Sequence, residues 1–160
     1  KINFIKFIGF IFLVISFYIF YKISLNIYEV FIVITICVST DIGGYLFGKI
    51  FKGPKLTKIS PNKTYSGMIG AYILSFLLVI IIVNFADYYK ISSQLFVSTF
   101  MISTVSQIGD LIISYFKRLS KIKNTGKIIP GHGGLLDRID GMIFAFPIYY
   151  LIKVTGYLSI

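Results

Sequence analysis

Residues 114–141 read SYFKRLSKIKNTGKIIPGHGGLLDRIDG. The stretch leaves one apolar run, crosses a segment dense in lysine and glycine, and enters another apolar run through Asp137, Arg138, Ile139 and Asp140. Within 28 positions it holds the only histidine, His132, and two of the six acids. Outside it the chain is mostly apolar, and that contrast decides the fold. A polar loop between two runs long enough to cross a bilayer is a connection at a membrane face.

Hydrophobic residues make up 56% of the 160 and charged residues 14%. A soluble core does not need that much apolar surface. Inside hydrocarbon every backbone polar group must be paired internally, which leaves helices as the simplest spanning element. The expected fold is therefore all-α: a polytopic bundle of about five transmembrane helices in one domain, residues 1–160. The spans read as Phe4–Tyr21, Ile27–Ile50, Gly67–Phe85, one within Ile91–Phe116, and one from about Ile139 to Tyr157. The first run lacks a small-residue cleavage site and reads as a span rather than a signal peptide. The single cysteine, Cys37, excludes an intramolecular disulfide and an all-cysteine zinc site, and reads as core.

A net charge of +10 raises the question of nucleic acid. In a chain this apolar it points instead to loops that face anionic headgroups or phosphorylated substrates. With the N-terminus inside, 13 of the 16 Lys and Arg residues fall on the cytoplasmic side, and Lys22, Lys90 and Lys153 face the other way. The positive-inside rule thus expects N-in and C-out, with both long polar loops on the cytoplasmic face.

The polar residues inside the spans carry the functional signal. Ser103, Ser106, Gln107, Asp110, Ser114 and Lys117 recur at helical spacing, on one stripe of the fourth span. A hydrogen-bonded helix seam explains the serines, but a charge in the bilayer normally faces a wet or buried site. Asp41 lies in the second span beside Gly44 and Gly48. Those glycines suit either a close helix crossing or a thinned cavity wall. Asp137 and Asp140 share a face at the start of the fifth span. Two acids there exceed what a helix dipole asks for, and hard cations such as Mg²⁺ take carboxylates together with substrate phosphates. In SPNKT, residues 60–64, Ser60 is expected to cap a helix with Lys63 and Thr64 in its first turn, where an anion would be held. His132, Gly133 and Gly134 would present donors to a phosphate.

The residues from Ser114 through Lys117, Arg118, Lys123, Gly126, Pro130, His132, Gly133, Gly134, Asp137, Arg138 and Asp140 resemble the signature of the phosphatidate cytidylyltransferase (CDP-diacylglycerol synthase) family. SQIGDL, residues 106–111, is similar to that family's membrane aspartate segment. DIGGYLFGKIFKGPKLTKISPNKTYSGMIG, residues 41–70, is similar to its D-x-G-A-Y and S-P-x-K-T-W-E-G region. The resemblance spans about residues 41–141 and implies either the catalytic, C-terminal portion of a longer protein with further N-terminal helices or a shortened member of the family. It implies transfer of CMP from CTP to phosphatidic acid, giving CDP-diacylglycerol and pyrophosphate, with Mg²⁺ alone or joined by a second cation. By resemblance Asp110 and Asp137 are metal ligands, supported by Asp140 and Asp41. Lys117, Arg118, Lys123 and Arg138 would hold triphosphate or lipid phosphate, with Ser60, Lys63, Thr64, His132, Gly133 and Gly134 as further substrate contacts. Asn124 stands where the pattern has Asp, Ile113 where many members have Glu, and Tyr65-Ser66 where Trp-Glu is usual.

The resemblance implies a multi-pass protein of a bacterial inner membrane with its site at the cytoplasmic face. CTP would arrive from water and phosphatidic acid from the membrane, with no nucleic-acid partner. A homo-oligomer is compatible with this reading. Two other classes compete. One is a different CTP-using membrane enzyme, of the polyprenol or phytol kinase or CDP-archaeol synthase type, which the HGGxxDRxD run disfavours. The other is a cation-coupled transporter, which predicts inverted repeats that the sequence lacks.

Overall fold

A computed structural model of the chain describes residues 4–57, 60, 62–86, 91–122, 125–126 and 136–157, with the backbone alone at 5, 6, 86 and 136–138. The described residues form five helices: α1 (Phe4–Ser24), α2 (Ile27–Phe51), α3 (Tyr65–Ala86), α4 (Ser93–Leu119) and α5 (Leu136–Val154). Helices α1 to α4 are each long and apolar enough to cross a membrane. Helix α5, at 19 residues, has the length, but Asp137, Arg138 and Asp140 crowd its first turns. The chain is a polytopic helical membrane bundle, as its composition requires.

The helix ends follow local chemistry. Asn26 caps α2 by accepting a hydrogen bond from the Tyr28 N–H at 3.1 Å. Ser92 caps α4 by accepting from the Leu95 N–H at 3.2 Å. Helix α4 runs past the expected Phe116, so Lys117 and Arg118 belong to its last turn. Helix α5 begins three residues before the expected Ile139 and ends at Val154, short of Tyr157.

The cap of α3 corrects an expectation. Ser60 does not start a helix, and Lys63 lies outside one. Thr64 is the cap: its Oγ1 accepts from the Gly67 N–H at 3.1 Å and its carbonyl from the Met68 N–H at 3.0 Å. The residues on either side of it pair backward with the start of the α2–α3 loop instead. The Leu56 N–H donates to the Lys63 carbonyl at 2.7 Å, and the Tyr65 N–H to the Pro54 carbonyl at 3.1 Å. Those ladder-like bonds hold Lys63 out of the helix and fold the loop over the helix ends.

Packing is densest between α2 and α3, and next between α4 and α5. Small residues permit both approaches. A Cβ on Gly67 would stand 2.6 Å from the Gly44 carbonyl oxygen, and one on Gly43 would stand 2.5 Å from that of Gly70. A Cβ on Gly141 of α5 would meet Ser106 Oγ of α4 at 2.5 Å. Across α2 and α4, the Thr40 and Ser103 hydroxyls lie 2.9 Å apart, both fully buried. The seam expected of the serine stripe therefore exists, and the aspartate of the same stripe lies beyond it. Helix α1 packs mainly on α5, through Phe12 on Phe144 and Phe20 on Phe146, each pair 4.8 Å between ring centres.

The two ends of the bundle differ. At one end Lys153 Nζ of α5 donates to Glu29 Oε1 of α2 at 2.5 Å, with Asn26 Nδ2 donating to the same oxygen at 3.1 Å. Asp41 of α2 and Asp140 of α5 lie at the other end, where they border one cavity.

Candidate active site

That cavity has a volume of about 390 Å³ and draws on four helices and a loop. Helix α2 supplies Asp41 and, one turn on, Tyr45. Helix α4 supplies Gln107, Asp110 and Lys117, the same stripe read from the sequence. Helix α5 supplies Asp140, and the folded-back loop supplies Ser60, Asn62 and Lys63. The glycines matter here twice. Gly67 lets α2 and α3 approach and also lines the cavity; Gly44 lines it too, but a Cβ there would meet only the Gly67 carbonyl oxygen at 3.9 Å, so the cavity reading of Gly44 is the one the geometry favours.

The charges inside are arranged in pairs. Lys63 Nζ is ion-paired with Asp110 Oδ2, across the gap between loop and helix. The other oxygen of Asp110 accepts from the Ser114 hydroxyl one turn later, at 3.3 Å. Lys117 Nζ stands 3.6 Å from Asp140 Oδ2, and Asp140 Oδ1 accepts from the Gly141 N–H at 2.9 Å. Asp140 is 7% exposed, so its partners take the place of water. Gln107 lies one turn before Asp110, and its amide nitrogen is buried without a hydrogen-bond partner.

Three carboxylates and two ammonium groups thus meet in one polar pocket at the end of a membrane bundle. Such a set can hold a polyphosphate by the lysines and a hard cation by the acids. Among the described residues no three His, Cys, Asp or Glu converge closely enough to hold a metal by themselves. Mg²⁺ does not need that, because it keeps waters and binds through one or two carboxylates plus substrate phosphates. The donor set fits Mg²⁺ on that footing.

The sequence profile of the cytidylyltransferase family matches residues 2–155. The chain belongs to that family. It is 39% identical over 116 residues to a phosphatidate cytidylyltransferase of Staphylococcus saprophyticus, covering 72% of this chain and 45% of the relative. The corresponding enzyme of Rickettsia conorii is 42% identical over 124 residues, covering 72% of this chain and 54% of the relative. That of Staphylococcus aureus is 40% identical over 118 residues, covering 73% and 45%. The chain spans about half the length of the curated relatives it matches.

Of the residues singled out in the sequence, Asp41, Ser60, Lys63, Thr64, Asp110, Lys117 and Asp140 line the cavity. Arg118 does not: it is exposed, about a quarter-turn round α4 from Lys117. The backbone puts Asp137 and Arg138 in the first turn of α5, and their side chains lie outside what is described. Lys123, Asn124, His132, Gly133 and Gly134 also lie outside the described residues. Asn62 and Tyr45 line the cavity without having been assigned a role. Asn62 stood inside the SPNKT stretch, and Tyr45 follows Asp41 by one turn, so helical spacing would have found it.

Proposed function

We propose that this chain transfers CMP from CTP to phosphatidic acid, giving CDP-diacylglycerol and pyrophosphate. The observation that carries the reading is the polar cavity in which Asp110 and Asp140, each opposed by a lysine, meet at one end of the membrane helices. Membership of the cytidylyltransferase family and the names of the relatives support the same reading. A site at the end of a bundle lets one substrate come from water and the other from lipid.

In this reading Asp110 and Asp140, with Asp41 beside them and Asp137 from the first turn of α5, would hold Mg²⁺, alone or with a second cation. The metal supplies charge neutralisation of the triphosphate. Lys63 and Lys117 bind phosphate oxygens when the substrate draws them from their carboxylates, and Arg118, Lys123 and Arg138 are the further cations that the resemblance offers to phosphate. A lipid phosphate oxygen attacks the α-phosphorus of CTP, a new P–O bond forms, and the bond to the β-phosphate oxygen breaks. The nucleophile is already an anion, so no side chain has to remove a proton. The lysines spread the charge that develops on the departing pyrophosphate. The cytoplasmic face of a bacterial inner membrane is the setting, since most Lys and Arg residues group on that side.

The test is product formation. Purified protein given CTP, Mg²⁺ and phosphatidic acid is expected to form CDP-diacylglycerol, and Asp110→Asn to lower turnover by at least about a thousandfold. Full turnover in Asp110→Asn would remove that residue from the site. A well-folded wild-type chain that makes no product would sink the assigned reaction.

A further inference from the structure

A further cavity lies between α1, α2 and α5. It measures about 190 Å³. Phe17 and Phe20 of α1, Ile34 of α2, and Ile139, Ile143 and Phe146 of α5 wall it. Ile143 and Phe146 are buried, whereas Phe17 is 55% exposed, so the groove is floored by α5 and its α1 rim faces outward. Phe20 packs edge-on against Phe146 and ties the two walls together. Among the described residues Ser16 is its one polar lining residue.

A groove with such walls has no use for water, and an unfilled void forfeits dispersion contacts on every wall. Within a bilayer the natural filler is a hydrocarbon chain. Helix α5 says whose chain it is. Ile139 and Asp140 are consecutive, and the first lines the apolar groove while the second lines the polar cavity and pairs with Lys117. A phosphate held at Lys117 would have its glycerol at the boundary between the two.

We propose that this groove holds one acyl chain of the lipid substrate during transfer, with the first turns of α5 dividing headgroup from chain. The inference rests on the reading of the substrate as phosphatidic acid. It makes the groove the part of the site that selects for chain length, while the charged cavity selects for phosphate. A short-chain lipid would fill the cavity and leave the groove empty.

The experiment uses the full chain in bilayer nanodiscs with phosphatidic acid bearing a photoactivatable diazirine in one acyl chain. Adducts mapped by mass spectrometry are expected on Phe17, Phe20, Ile143 or Phe146, and to be competed by unlabelled dioleoyl phosphatidic acid. Adducts confined to the outward faces of α3 or α4, or uncompeted labelling of the groove, would overturn the proposal. Kinetics separate this from the assigned reaction. Ile143→Phe, and Phe17→Trp at the rim, are expected to raise KM for dioleoyl phosphatidic acid about fivefold and leave KM for the dihexanoyl lipid unchanged. Equal effects on both lipids count against the groove. No turnover of either lipid by the wild type counts against the reaction, and the labelling pattern still decides the groove.

Discussion

Lys63 is the residue on which loop and helices meet. It follows Asn62 in a stretch that looks, in the sequence, like the start of a helix. A hydrogen bond from the Leu56 N–H to its carbonyl keeps it in the loop, and from there its ammonium reaches Asp110. An ammonium beside a carboxylate competes with a metal for the same oxygens, and it is also a ready phosphate ligand. Removing it should therefore move two constants in opposite directions. Lys63→Met is expected to raise KM for CTP about tenfold or more and to lower the Mg²⁺ concentration needed for half-maximal rate. Titrating each in turn checks this, and a parallel rise in both would show that Lys63 does not sit between metal and nucleotide. The spacing along the fourth span was enough to single out Asp110 and Lys117. No local signal indicated that Lys63 would be the partner of Asp110, because that pairing depends on how a loop folds back over a helix end.

Among the elements, α2 determines most of the geometry. Its second half crosses α3 at glycines and borders the cavity, and its first turn is pinned to α5. Gly67→Ala would drive a Cβ to 2.6 Å from a backbone oxygen of α2, which no side-chain rotation relieves. We expect a loss of about 1–3 kcal/mol and a fall in turnover as Gly44 and Asp41 are pushed outward. A thermal melt in detergent alongside an activity assay measures both, and unchanged values would mean that the helices can separate freely. In that first turn Glu29 is 1% exposed and depends on Lys153 for its countercharge. Lys153→Met should cost about 3 kcal/mol, the low end for a buried pair because the Lys153 side chain is 40% exposed. The double variant Glu29→Leu/Lys153→Met should recover most of it. Failure of the double variant to recover would show that Asn26 and the helix start, not the charge, set the stability there. Lys153 was legible only as a cation on the sparsely charged side; its partner is 124 positions away.

For the whole molecule the outstanding quantity is orientation. The cavity and the Glu29–Lys153 pair mark opposite ends of the bundle, and the proposed orientation, taken from the Lys and Arg distribution, puts the cavity end in the cytoplasm. The chain offers a clean assay, because its one cysteine is 1% exposed and should not react with a polar reagent. In intact cells a membrane-impermeant maleimide is expected to label Tyr157→Cys and spare Lys55→Cys, with the reverse after the inner face is opened. Labelling of Lys55→Cys in intact cells would invert the topology and place the site outside.

The residue pattern alone was enough to read the class of fold and to single out the acids and cations that line the cavity. Hydrophobic run length follows from bilayer thickness, and helical periodicity follows from backbone geometry, so both are local and readable. It also carried the likeness to the cytidylyltransferase family through a few short motifs. Only the tertiary structure decided which of those residues share a cavity, that Thr64 rather than Ser60 caps α3, and that Arg118 turns away while Lys117 turns in. Those outcomes depend on contacts between segments far apart in the chain. Close glycine crossings and backbone bonds across a loop set them, and no local periodicity encodes where two helices will touch. The stretch 114–141 shows the division: its first charges lie on a helix and its last acid lies in the cavity, joined only because α4 and α5 pack side by side.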